Sequence, residues 1–126
     1  MRVKISAEAI GEVTVELHKE KNPKTADAIW SALPIQGYAN IWGEEIYFTV
    51  GINVEKEETQ KVVEMGDVAY WPPGDALCIF FGPTPASRGD EIRAASPVNV
   101  FGRIHGDPAV FKKVKQGDLI IVSKGE

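Results

Sequence analysis

The chain has 126 residues, enough for one domain (1–126) with its own core, and its 44% hydrophobic and 25% charged residues are ordinary for a globular protein. A net charge of −4 with no basic stripe argues against nucleic acid as a partner, because phosphate neutralisation dominates such binding. No segment approaches the roughly 20 apolar residues of a membrane span, no signal peptide is expected from the alternating start, and a lone cysteine, which forms no intrachain disulfide, fits a reducing, cytoplasmic setting.

"VKISA" and "EVTVELH" alternate with period 2 around Ala9-Ile10-Gly11 and predict a hairpin, with Val13, Val15 and Leu17 on one face. The period then changes. Asn22 is placed to cap a helix, Pro23 suits its first position, and Ala26, Ile29, Trp30 and Leu33 recur at helical spacing until Pro34. "IQGYANIW" and "EEIYFTVGI" flank Gly43-Glu44 as a second hairpin, Ile46, Phe48 and Val50 facing one way and Glu45, Tyr47 and Thr49 the other. "NVEKEETQK" reads as a solvated loop. "GDVAYW" and "ALCIFFG" predict strands around the turn Pro72-Pro73-Gly74-Asp75. "PTPASRGDEIRAASP" reads as a long loop, "VNVFGRI" as a strand, "DPAVFKKV" as a short helix capped by Asp107, and "DLIIV" as a last strand. Hairpins dominate and no strand–helix–strand rhythm appears. The expectation is a closed antiparallel β-barrel of about eight strands capped by two helices, since closure removes exposed edges.

The order of these elements resembles that of cyclophilins. The matching pieces are Pro23-Lys24-Thr25 with Trp30 and Leu33, Gly66 ahead of Phe80-Phe81, and Val100 to Ile104 with Gly106, then Val110 to Val114. A closer resemblance is to compact prokaryotic cyclophilin-like proteins of unsettled function, carried by "WGEEIYF" (42–48), residues 66–85 and "VNVFGRI" (98–104). It implies the cyclophilin-type barrel without supplying an activity. By the cyclophilin pattern Phe80 enters the barrel and Phe81 stands at a groove wall. Cyclophilin isomerases steady the twisted X–Pro amide with an arginine followed by Phe-x-x-Gln. The corresponding strands here contain neither, and Glu44-Glu45 put negative charge there. Residues 86–98 also lack the tryptophan and histidine of that groove.

Five residues stand out as a ligand-binding set: Trp42, Glu45, Tyr47, Trp71 and Phe81. Trp71 precedes a stiff Pro-Pro turn and makes a platform that loses little entropy on binding; the plain alternative is a covered barrel end. Phe81 equally suits packing under the loop 83–97. A carboxylate among aromatics suits a cation or amine, or general-base work if burial raises its pKa. Cys78, flanked by apolar residues, reads as a small hydrophobe. With His18 and His105 it shows no metal-ligand spacing, so no metal site and no cofactor are expected. The sequence therefore points to a domain binding a small molecule or short peptide in an aromatic groove without efficient prolyl isomerase activity. The alternative is a divergent isomerase in which Arg88, Arg93 or Arg103 turns back to the Phe81 face. A homo-oligomer is left open.

Overall fold

The computed structural model describes residues 1–125. Ten strands form antiparallel ladders: β1 (Arg2–Ala7), β2 (Gly11–Leu17), β3 (Ile35–Tyr38), β4 (Asn40–Ile41), β5 (Glu45–Thr49), β6 (Gln60–Val63), β7 (Asp67–Trp71), β8 (Ala76–Phe80), β9 (Ile92–Ile104) and β10 (Leu119–Lys124). One α-helix, α1 (Pro23–Ala32), follows the first hairpin. The segments Pro72–Gly74 and Pro108–Lys113 are 3-10 turns, so the second expected helix is of the tighter kind; Asp107 caps it, accepting from the Ala109 N–H at 3.0 Å.

The main path runs β3-β10-β1-β2-β9-β7-β8-β5-β4, with β6 paired to β9 beside it. This corrects the expected closed barrel, because the path has two ends. Those ends, β3 and β4, are separated in the chain by Ala39 alone, so the sheet curls until its edges meet at one residue. The seam is filled by packing: the Phe48 ring lies where a side chain at Gly37 would stand, 2.8 Å from the position of its Cβ.

Inside the curl lies the larger core, built from alternate residues of the strands with Ala26 and Ile29 of α1 and Phe111 of the second 3-10 turn. Ile46 and Phe48 point into it, as their period predicts. A smaller cluster (Val63, Ala69, Cys78, Phe80, Ile92, Ala94, Val98) lies on the opposite face of β7 and β8, roofed by β6 and the first half of β9. The start of β6 and the first part of β9 fell in stretches that read as loops, "NVEKEETQK" and "PTPASRGDEIRAASP", which are too polar or too broken to show a period.

Asn22 does not cap α1 with its side chain. Its amide instead donates to the Val100 carbonyl (2.8 Å) and accepts from the Glu58 N–H (2.8 Å). The helix N-terminus is capped from a distance by Glu57, whose carboxylate accepts from the N–H groups of Lys24 (3.0 Å) and Thr25 (2.8 Å) and from the Thr25 hydroxyl (2.6 Å). Fully buried Asn99 completes the knot, accepting from the Glu57 N–H (3.1 Å) and donating to Thr25 Oγ1 and the Glu55 carbonyl (both 3.0 Å). The segment read as a solvated loop is thus tied to α1 and β9.

Candidate functional site

The ladder between β5 and β8 sets the site. Glu45 faces Phe80 and Tyr47 faces Cys78, while Ala69 of β7 faces Cys78 and Trp71 faces Ala76. Period 2 therefore puts Glu45, Tyr47, Ala69, Trp71, Cys78 and Phe80 on one face of the sheet, the face under the roof. Gln60 faces Val98 but Val62 faces Arg93, so β9 carries surplus residues between these points and bulges. Ala94, Ala95 and Val98 of this segment close over the aromatic residues. The result is a cavity of about 220 Å³ lined by Trp42, Glu45, Tyr47, Trp71, Ala94, Ala95 and Val98.

Both tryptophans of the cavity are held by local devices. Trp42 precedes the β4–β5 turn, which closes through the Trp42 N–H to the Glu45 carbonyl (2.9 Å) and the Glu45 N–H to the Trp42 carbonyl (3.1 Å). Gly43 takes φ 61°, the glycine-first pattern of a two-residue hairpin loop, and leaves no room for a side chain beside Thr84 and Pro85. The Trp71 ring lies over Gly74, within 2.5 Å of where a Cβ would sit, and its Nε1 donates to Ser96 Oγ at 2.6 Å. Tyr70, on the other face, fastens the same turn: its hydroxyl donates to Asp75 Oδ1 (2.6 Å) and accepts from the Val54 N–H (3.1 Å). Burial, then this bond to Asp75, pushes the phenol up to about 12.

Glu45 is 5% exposed. Burial pushes its carboxyl up from the usual 4.5 to about 7, and the hydrogen bond from the Cys78 thiol offsets only part of that. Burial and the neighbouring carboxylate in turn push the Cys78 thiol well above its ordinary value, so Cys78 is no ready nucleophile.

Four of the five candidate residues come together: Trp42, Glu45, Tyr47 and Trp71. Phe81 does not join them. It is 4% exposed, belongs to the larger core and lies 6.3 Å from the Phe111 ring, while Phe80 takes the cavity face. The inside-outside assignment of the Phe pair is therefore the reverse of that expected. The face opposite the main core is itself buried, so hydrophobicity alone does not tell the two apart. Ala94, Ala95, Val98 and Ser96 were not anticipated, and no chemical signal marks them. None of Arg88, Arg93 and Arg103 lines the cavity; Arg93 pairs with Glu91, and Arg103 with Glu64 (3.5 Å) and Asp67 (3.2 Å).

A curled antiparallel sheet with one helix after the first hairpin, carrying a roofed aromatic cavity on its outer face, is the class of domain defined here. The chain belongs to the Cyclophilin-like family, whose model matches residues 1–123. Among solved structures it is similar to the hypothetical protein AF2241 from Archaeoglobus fulgidus, with 51% identity over 99% of this chain and 95% of that one and a TM-score of 0.85. It is also similar to McbB, solved in complex with tryptophan, with a TM-score of 0.77 and 19% identity over 98% of this chain and 45% of McbB. That second likeness is one of fold, and this chain spans less than half of McbB. No curated protein matches the chain.

Proposed function

We propose that the domain binds a small organic molecule, or one side chain of a short peptide, in the cavity between Trp42, Tyr47 and Trp71, and that it is not an efficient prolyl isomerase. The observation that carries this reading is the cavity itself: three aromatic side chains and a buried carboxylate around about 220 Å³. A cavity of about 150 Å³ is enough for benzene, so one ring with a short substituent suits this one. Rigid aromatic walls with a single polar group are the usual composition of a small-molecule site. The absence of any cation among the lining residues leaves a twisted X–Pro amide without electrostatic support, which favours binding over isomerisation. McbB carries tryptophan in its structure, and tryptophan is accordingly a sensible first probe for this chain.

The test is an NMR titration that follows the indole N–H signals of the three tryptophans, using tryptophan, aromatic amines and Ala-Pro peptides as probes. The expected result is a saturable shift at Trp42 and Trp71 with at least one probe, lost in Trp71→Ala. If no probe moves these two signals at millimolar concentration, the cavity is ordinary packing space and the reading fails.

A further inference from the structure

Charge bookkeeping around the cavity is unbalanced. Glu45 takes part in none of the salt bridges among the described residues. Nearby Lys112 serves Glu44 instead (3.6 Å), and Arg93 serves Glu91. The neighbour of the Glu45 carboxyl is the Cys78 thiol, a weak donor that itself reaches the Ala76 carbonyl (3.9 Å). A buried carboxylate without a counter-charge is destabilising, and simple packing does not require one. The carboxyl nevertheless lines the cavity, beside two indoles and a phenol.

Resting on the binding reading above, we propose that the ligand is an organic cation: a single ring joined by a short chain to an ammonium group, the ammonium seated against Glu45 and the ring among Trp42, Tyr47 and Trp71. The ammonium supplies the counter-charge that the protein withholds. Aromatic faces attract the same charge, tryptophan most strongly, and more so where water is excluded. An ammonium has donors to spare for a carboxylate whose neighbour in the chain is only a weakly donating thiol. A carboxylate ligand meets the opposite situation, since two anions would share one site with no cation among its lining residues.

Calorimetry at about pH 8, where the carboxyl is mainly ionised, can decide this with phenethylamine, 2-phenylethanol and 3-phenylpropionate. The three share a ring and differ in the charge of the tail. The amine should bind at least about tenfold tighter than the alcohol, with the acid weakest. Glu45→Gln should bring the amine down to the alcohol while leaving the alcohol within about threefold of its original affinity. Equal binding of amine and alcohol by the unaltered protein, or tightest binding of the acid, would overturn the cation and leave the cavity reading standing. Failure of all three to bind, with the indole signals of Trp42 and Trp71 unmoved, would remove both.

Discussion

At the scale of the residue, Glu45 ties stability to pH in an unusual direction. Its carboxyl rises from 4.5 to about 7 in the fold, so the folded chain holds this proton more tightly than the unfolded chain does. At pH values below 4.5 both states are protonated and the group is neutral in the balance. Between 4.5 and about 7 the unfolded chain gives up the proton first, and stability falls as pH rises. Above that window the full cost remains, about 3 kcal/mol by the size of the shift. Glu45→Gln, which keeps the shape and removes the charge, should therefore stabilise the protein at about pH 8 by up to this amount and do little at about pH 4. Urea unfolding of the two proteins at both pH values measures it. An equal effect at both pH values would mean that the carboxyl is not desolvated. The candidate site was legible here because the residue types announced it: Glu45, Tyr47, Trp42 and Trp71 carry chemistry that the sequence displays. The alanines and the valine opposite carry shape alone.

At the scale of the element, β8 divides two cores. Its residues alternate between the larger core (Leu77, Ile79) and the cluster beneath the roof (Cys78, Phe80), and Phe81 just beyond its end returns to the larger one. Both phenylalanines are load on a packed interior, so Phe80→Ala and Phe81→Ala should each cost about 3–5 kcal/mol. Trp71, half-buried and resting on a glycine, should cost less than about 2 kcal/mol on truncation. Chemical denaturation of the three variants gives the comparison. A Phe81→Ala variant as mild as Trp71→Ala would contradict the burial of Phe81, and a Trp71→Ala variant as damaging as the other two would make the aromatic cavity wall a structural core. The strand pattern was readable wherever polar and apolar residues alternate, as in β2 and β5. It failed at β6 and at the start of β9, where polar residues, a proline and a bulge interrupt the alternation; at β8 the strand was readable but not which face meets the larger core, because both faces are buried.

At the scale of the whole molecule, membership of the Cyclophilin-like family and isomerase chemistry are separable. The family is carried by the order of strands, helix and turns, which many sequences can satisfy; catalysis needs particular side chains at particular places. Measured against a cyclophilin on an Ala-Pro peptide in a protease-coupled assay, this protein should show no useful acceleration. A rate within about tenfold of the cyclophilin would oblige some other cation to act at the amide. The order of strands has a further consequence, for assembly in time. β10 is the last of the ten to leave the ribosome, yet it lies between β1 and β3, pairing Val3 with Lys124 and Ile35 with Val122. Until it arrives, two of the earliest strands lack their shared partner and leave apolar residues such as Ile5 and Ile35 uncovered. Closure of this part of the sheet must therefore wait for β10, and a nascent chain halted before Leu119 should be more prone to aggregate than one that includes it.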